Sequence, residues 1–274
     1  MIKIGSCTVL YNPDSSVISN IETYSSLFDV CVVVDNSDSI NEFSKYLEMN
    51  PSYVYISMHG NQGIAAAINA GVKYLNSTGM DFVLTMDQDS QFPTKDFEKI
   101  YSLIEKYKDK YSLIGLDVNK VSYDQEIKDV PYWITSGNFV NIRDFYKVGQ
   151  MNESLFIDYV DFDLGYRFKQ ANLKIGYLPG YCILHTIGNP IEIQFLGKTF
   201  YALNHSPIRY YYRYRNSYYL YHYVDKKFFK KEYQREIFGS LIKMILFEKN
   251  RKEKLKMIKK GIQDAKLNHL GKFE

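Results

Sequence analysis

The amino-acid sequence predicts an α/β fold, a mainly parallel central sheet flanked by helices and followed by a helical C-terminal extension. From Lys3 to Met86, short β-rich apolar runs alternate with segments of helical periodicity. Each of these runs ends in a polar, turn-forming cluster. Beyond His205 the composition becomes basic and tyrosine-rich.

Lys3 to Leu10 and Val30 to Val34 read as strands ending in YNPD and DNSDS. Between them, Val17, Ile18, Ile21, Tyr24, Leu27 and Phe28 recur at helical spacing over Val17 to Phe28. Tyr53 to Ile56 is the next strand, GNQGIAAAINAGVKYL opens with glycines and becomes an alanine-rich helix, and Asp81 to Met86 is another strand. Such alternation requires crossover helices between parallel strands. Ligands of open sheets bind outside the strands' carboxyl ends. Asp35, Asn36, Asn61, Asp87 and Asp89 all follow apolar runs, so they are expected on loops that converge on one crevice.

After Phe92 the order is less regular. A helix is expected near Thr94 to Lys108, a strand near Ser112 to Leu116, then PYWITSGNFV and a helix near Arg143 to Val148. LFIDYVDFDLGYRFKQ enters an amphipathic helix, and strands follow at Lys174 to Leu178 and Tyr181 to His185. The tail holds YYYRYRNSYYLYHY and helices near Lys231 to Glu248 and Lys252 to Leu267. There is no internal repeat. Residues 1–205 are expected to form the main domain and 206–274 the extension.

At 274 residues, 46% hydrophobic and 24% charged, the chain can bury a substantial core. Cys7, Cys31 and Cys182 are odd in number and far apart, which favours neither a disulfide framework nor a zinc site and suits a reducing cytosol. MIKIGSCTVLY lacks the apolar centre of a secretion signal, and no run approaches the roughly 20 apolar residues of a membrane span. A soluble or peripheral cytoplasmic protein is expected. The net charge of +3 hides an asymmetry: residues 206–274 carry 18 Lys and Arg against 7 Asp and Glu, the remainder 16 against 24. The acidic part and the basic tail are therefore expected to meet different partners.

In TMDQDS, Asp87 and Asp89 flank one residue at a strand's end, so both carboxylates can approach one hard cation. A capped turn would use the same residues. A calcium loop starting at Asp87 fails because Phe92 stands where the turn glycine belongs. No G-x-G-x-x-G follows a strand, and GKT at Gly197 to Thr199 has Glu192 where a phosphate loop needs its first glycine. Asp158, Asp161 and Asp163 surround Arg167. On a helix starting near Asp161, the carboxylates of Asp161 and Asp163 point apart, so that one can act as a general base while the other supports structure. An acidic helix start paired with Arg167 is the structural alternative. His185 ends the apolar LPGYCILH, as a hydrogen-bonded strand end or as a further metal ligand beside the D-x-D pair.

Taken together, TVLYNPD, VVVDNSDS, HGNQGIAAAINAG, MDQDS, ITSGNFV, LFIDYVDFDL, the strand ending at His185, HSPIRYYYRYRN and KKGIQDAKLNHLGK resemble the family 2 glycosyltransferases of the GT-A fold. The resemblance is strongest to bacterial rhamnosyltransferases of surface polysaccharide synthesis and covers nearly the whole chain. It implies a Rossmann-like nucleotide-binding half in which Thr8, Tyr11 and Asp35 surround the nucleobase and ribose, with Asn61 and Gly63 beside them. It implies Asp87 and Asp89 as the D-x-D pair, touching diphosphate and metal, with His185 completing a Mg²⁺ or Mn²⁺ site. Asp161 matches the catalytic base, with Asp158 as runner-up. Val160 stands where many relatives have glutamate, Asp163 where the rhamnosyltransferase branch has glutamate, and Leu164-Gly165 where an aromatic residue is usual. Trp133, Ser136 and Gly137 would border the acceptor. Arg213 or Arg215 would add a cation at the diphosphate, since guanidinium binds phosphate oxygens as a fork.

The implied reaction transfers a sugar with inversion from a dTDP- or UDP-sugar, dTDP-rhamnose first and UDP-galactose or galactofuranose as the alternative, to a saccharide or lipid-linked saccharide. The tail's tyrosines, lysines and apolar positions Ile237, Leu241, Ile245, Phe238 and Ile242 suit either an anionic membrane surface at the inner face of the cytoplasmic membrane or packing on the catalytic domain. A nucleic-acid module would use the same tail for phosphates and stacking but leaves the acidic crevice unexplained, so no nucleic acid is expected. A silent nucleotide-sugar-binding protein would keep the fold and lose turnover.

Overall fold

The strands are β1 (Ile4–Leu10), β2 (Val30–Asp35), β3 (Val54–Ser57), β4 (Phe82–Asp87), β5 (Ser90–Gln91), β6 (Leu113–Val118), β7 (Lys128–Val130), β8 (Asn138–Asn141), β9 (Ile175–His185), β10 (Ile191–Phe195) and β11 (Lys198–Ala202). The helices are α1 (Ser16–Glu22), α2 (Glu42–Met49), α3 (Ile64–Ser77), α4 (Phe97–Tyr107), α5 (Ile142–Lys147), α6 (Val160–Gln170), α7 (Pro207–Tyr219), α8 (Lys226–Gln234), α9 (Leu241–Phe247) and α10 (Arg251–Lys266). The structure, a computed structural model, describes residues 1–119, 126–185, 191–195, 198–202 and 204–274. The chain divides into two compact units, one of Met1–Glu153 with Val160–Thr186, the other of Ser154–Tyr159 with Ile187–Glu274. The boundary expected after His205 thus falls inside the second unit.

In the first unit the sheet order is β3-β2-β1-β4-β8-β6-β9-β5, with β7 also on β9. β3, β2, β1 and β4 are mutually parallel, and β6 and β9 run the same way because β8 is antiparallel to both β4 and β6. Every residue of β1 is buried, as expected of a parallel strand covered on both faces. The core joins Ile4, Leu10, Val33, Leu84, Ile114 and Leu178 from the sheet to Ile21, Leu47, Ile100 and Ile104 from helices. Register aligns the strand ends: Leu10 pairs with Asp35, Asp35 with Ser57, and Val9 with Asp87. One edge of the sheet therefore collects the polar loops.

Two strand expectations merge, since Lys174 to Leu178 and Tyr181 to His185 form the continuous β9. The register against β6 jumps from Leu116↔Leu178 to Asp117↔Cys182, and the extra residues contain Pro179 and Gly180. Proline lacks the amide that a ladder needs, so the bulge forms there. The helix expected over Val17 to Phe28 ends at Glu22.

The second unit contains the β10–β11 hairpin, which helical spacing did not announce, and helices α7 to α10. The helix expected over Lys231 to Glu248 is instead α8, a π-helical turn at Arg235–Ser240, and α9. The Tyr214 hydroxyl donates to the Glu236 carbonyl at 2.8 Å, an insertion of the kind that opens a regular helical ladder. Tyr210, Tyr214, Met244 and Ile258 form one small core; Phe156, Tyr211 and Tyr212 form another.

Candidate active site

Asp87 is the last residue of β4 and Asp89 lies two residues on, before β5. β5 is short, yet it pairs antiparallel with β9 so that Ser90 faces His185. That pairing brings Asp87, Asp89 and His185 together, with one potential ligand atom from each within 4.8 Å of the others. His185 Nδ1 lies 3.2 Å from Asp89 Oδ1 and 2.9 Å from Ser90 Oγ. The hydrogen bond with Asp89, helped by the charges of Asp89 and Asp87 and opposed by burial, raises the pKa of His185 above its usual value.

Ser136 lies underneath this cluster. Its buried hydroxyl accepts from the Asp87 amide at 3.0 Å and meets Ser90 Oγ at 2.9 Å. The expectation that Ser136 borders an acceptor is corrected accordingly, because its side chain is enclosed and supports the D-x-D loop. The adjacent Gly137 is also buried, with φ +77° and its amide on the Thr85 carbonyl. Trp133 stacks on Tyr177 at 4.2 Å and donates from Nε1 to the Leu116 carbonyl, which leaves it half-buried.

Along the same sheet edge, Asp35 is buried and accepts from the Ser37 amide at 2.9 Å and the Tyr55 hydroxyl at 2.7 Å. Burial opposes its charge, but hydrogen bonding, led by the Ser37 side chain and joined by the Tyr55 hydroxyl and the Ser37 amide, prevails and holds its carboxyl below the usual range. Asn61 Oδ1 accepts from Asn36 Nδ2 and from the Gly63 amide, and Gly63 enters α3 at φ +88°, a conformation that glycine adopts without strain. Tyr11 is exposed, with its hydroxyl on Asp38 and its amide on Gln88. Thr8 departs from expectation: it is fully buried and bonded to the Tyr24 hydroxyl at 2.7 Å, so its side chain is closed to a nucleobase.

Asp161 and Asp163 lie in the first turn of α6. Asp163 is buried and accepts from Arg167 Nε at 2.8 Å, whereas Asp161 is half-buried. Burial raises the Asp163 carboxyl's pKa, against the pull of Arg167. The two carboxylates therefore have different surroundings. At Gly165 a Cβ would lie 2.7 Å from the Pro131 carbonyl and 2.5 Å from Tyr132 Cβ. The absence of a side chain lets residues 131–132 cross α6 closely, with Tyr132 against Phe162 at 4.2 Å.

The family model for glycosyl transferase family 2 matches residues 15–168, more than half of the chain. The chain is a family 2 glycosyltransferase. The glycosyltransferase is 26% identical, over 95% of its length and 93% of the relative's, to the dTDP-rhamnosyl transferase RfbF of Shigella flexneri. It is 25% identical, over 53% of its length and 55% of the relative's, to the low-salt glycan biosynthesis hexosyltransferase Agl10 of Haloferax volcanii. Its fold is similar to that of GalNAc-T7, crystallised with UDP, GalNAc and Mn²⁺, at TM-score 0.58 and 12% identity, spanning 97% of this chain and 57% of that one. It is likewise similar to residues 1–349 of TarS of S. aureus, at TM-score 0.57 and 12% identity, with 96% and 81% covered. The fold is GT-A.

Three residues expected at the glycosyltransferase's site are committed inside its second unit. Arg213 is buried with Nη2 on both Glu236 oxygens at 2.7 and 2.8 Å, leaving Nη1 without a partner. Arg215 is fully buried and donates to the carbonyls of Ser154, Leu155 and Gly271. The expectation that either reaches a diphosphate is thus corrected, because the donors of Arg215 serve the protein's own acceptors and Arg213 is buried with its charge paired to Glu236. Asp158 accepts both Arg209 Nε and Nη2, at 2.7 and 2.8 Å. A carboxylate held by such a fork is poorly suited to collect a proton.

Proposed function

We propose that this glycosyltransferase is metal-dependent and inverting, moving L-rhamnose from dTDP-rhamnose to a saccharide or lipid-linked saccharide in bacterial surface polysaccharide synthesis. The observation that carries the reading is the convergence of Asp87, Asp89 and His185 at the carboxyl edge of the sheet. Similarity along nearly its full length to a dTDP-rhamnosyl transferase supports the donor. The likeness to a hexosyltransferase favours, as a second reading, transfer of another hexose. The reaction would take place in the cytoplasm.

Two carboxylates and an imidazole suit a Mg²⁺ or Mn²⁺ ion. Asp87, Asp89 and His185 would hold it, and such an ion, when bound, offsets the charge of the departing diphosphate. Ser90 and Ser136 fix those ligands' orientation through their hydroxyls. Tyr11, Asp35, Asn61 and Gly63 shape the nucleoside side, with Asp35 kept anionic by its hydrogen bonds. Asp161 takes the proton of the acceptor hydroxyl as that oxygen attacks the anomeric carbon, and the bond to the diphosphate breaks on the opposite face. Asp163 keeps Arg167 and cannot share that task. Trp133 presents an aromatic surface to the acceptor's C–H face.

Thermal melting against a panel of nucleotide sugars with Mn²⁺ tests the reading, since a ligand of the folded form raises its melting temperature. Stabilisation by dTDP-rhamnose above all others is expected. A response confined to UDP-hexoses replaces the donor, and no response to any nucleotide sugar overturns the function.

A further inference from the structure

Between Asp225, which caps α8, and Glu253, the chain carries nine lysines and arginines and three glutamates. All three glutamates, Glu232, Glu236 and Glu248, are buried, and two of them face inward onto Arg213 and Lys254. The nine cations are exposed or half-buried. This stretch therefore shows solvent positive charge and no carboxylate.

α9 and the π-helical turn before it have two apolar faces. Ile237, Leu241 and Met244 pack inward against Tyr210, Tyr214 and Ile258. Phe238, Ile242 and Leu246 are 67%, 50% and 56% exposed, with Ile245 also exposed beside them. Residues 242, 245 and 246 share one side of a helix, and Phe238 precedes them by about a turn. Of the apolar positions noted in the sequence, Ile237 and Leu241 thus pack within the second unit itself, and Phe238, Ile242 and Ile245 are exposed. Apolar side chains exposed side by side and rimmed by charge are a feature of interaction sites.

We propose that the outward face of α9 docks on an anionic lipid bilayer, with Phe238, Ile242, Ile245 and Leu246 among the acyl chains and the flanking lysines at the lipid phosphates. Charge complementarity selects this occupant. A second copy of the chain would oppose the same cations across a two-fold interface. A nucleic acid would satisfy the cations and leave the apolar side chains in water. An anionic bilayer uses both features at once. Among the described residues no helix is long and apolar enough to cross a membrane, so the contact is interfacial. The proposal is independent of the transfer chemistry.

Sedimentation of the full chain with phosphatidylglycerol–phosphatidylcholine vesicles, and separately with phosphatidylcholine alone, provides the test. Binding to the anionic vesicles, reduced by salt, is expected. The variants Phe238→Ser/Ile242→Ser/Leu246→Ser and Lys230→Glu/Lys231→Glu should each weaken it by about tenfold or more, with melting temperature unchanged because the altered side chains are exposed. If the triple variant does not fold, the charge-reversal pair decides. Undiminished binding by the variants, equal binding to neutral vesicles, or no vesicle binding overturns the proposal. So does a concentration-dependent dimer or oligonucleotide binding appearing in its place.

Discussion

Nδ1 of His185 lies 3.2 Å from Oδ1 of Asp89, a contact that the pairing of Ser90 with His185 across β5 and β9 creates. The imidazole is oriented by a hydroxyl, Ser90 Oγ, which in turn meets Ser136 Oγ at 2.9 Å. Partners of this kind typically contribute 10- to 100-fold to metal affinity. Ser90→Ala should weaken Mn²⁺ binding by roughly 10-fold, measured by calorimetry, while Asp89→Ala removes it together with metal-dependent donor binding. Unchanged Mn²⁺ affinity in Ser90→Ala would show that the hydroxyl does not orient the ring.

Asp161 and Asp158 make opposite predictions. Asp161→Asn should retain donor-induced stabilisation and lose turnover by about 10²- to 10⁴-fold, the usual share of a general base. Asp158→Asn breaks the fork from Arg209 and should lower thermal stability. Rates measured at saturating donor and acceptor separate the two. Near-normal turnover in Asp161→Asn removes its assignment as base.

The parallel half of the sheet was legible because each strand there is an apolar run closed by a polar cluster, and register alone then aligns Asp35, Ser57 and Asp87. The D-x-D pair and His185 were legible as strand ends, although no local pattern specified that a two-residue strand would join them. Arg213 and Arg215 were misread because charge in a sequence suggests surface, whereas their burial depends on Glu236 and on main-chain carbonyls distant in the chain. Ser136 carried no signal separating a buried support from an acceptor contact. The π-helical turn at Arg235–Ser240 escaped for a related reason, since Tyr214 reaches it from another helix.

Asp35 should make stability depend on pH. Its folded pKa is depressed, so its contribution is present above the ordinary carboxylate range and is lost as the pH falls through the lower folded value. Tyr55→Phe removes the 2.7 Å hydrogen bond to its Oδ2 and should cost about 1.5–3 kcal/mol at neutral pH. The gap between wild type and variant should narrow on acidification. Melting curves from pH 7 to pH 3 check this, and a gap that widens with acid contradicts it.

Lys254 and Glu248 form a buried pair at 2.7 Å, and Tyr210 donates to the same carboxylate at 2.8 Å. Removing one member of such a pair leaves a charge without its partner and costs roughly 3–5 kcal/mol. Lys254→Met should therefore be severely destabilising, while Glu248→Gln/Lys254→Met should recover much of the loss. Denaturant titration of the three proteins measures the difference. A double variant as unstable as the single one would show that packing, not the stranded charge, sets the cost.

Asn216 supports an unusual stretch of backbone within the second unit. Phe156, Asp158 and Tyr159 have φ of +65°, +62° and +67°, a region that costs a non-glycine residue roughly 1–2 kcal/mol. The Asn216 amide nitrogen donates to the carbonyls of Leu155, Ile157 and Asp158 at 2.9, 2.8 and 2.9 Å. Two N–H groups thus serve three acceptors, one of them shared. Asn216→Ala should cost about 1–3 kcal/mol through the unpaired carbonyls. Asn216→Asp should cost more, because it turns an acceptor toward them. The single tryptophan, Trp133, lies in the first unit, so its fluorescence reports that unit, while circular dichroism also follows helices α7 to α10. Both variants should lower the midpoint seen by dichroism, and an unshifted dichroism midpoint in Asn216→Asp would mean that the left-handed stretch does not need this side chain.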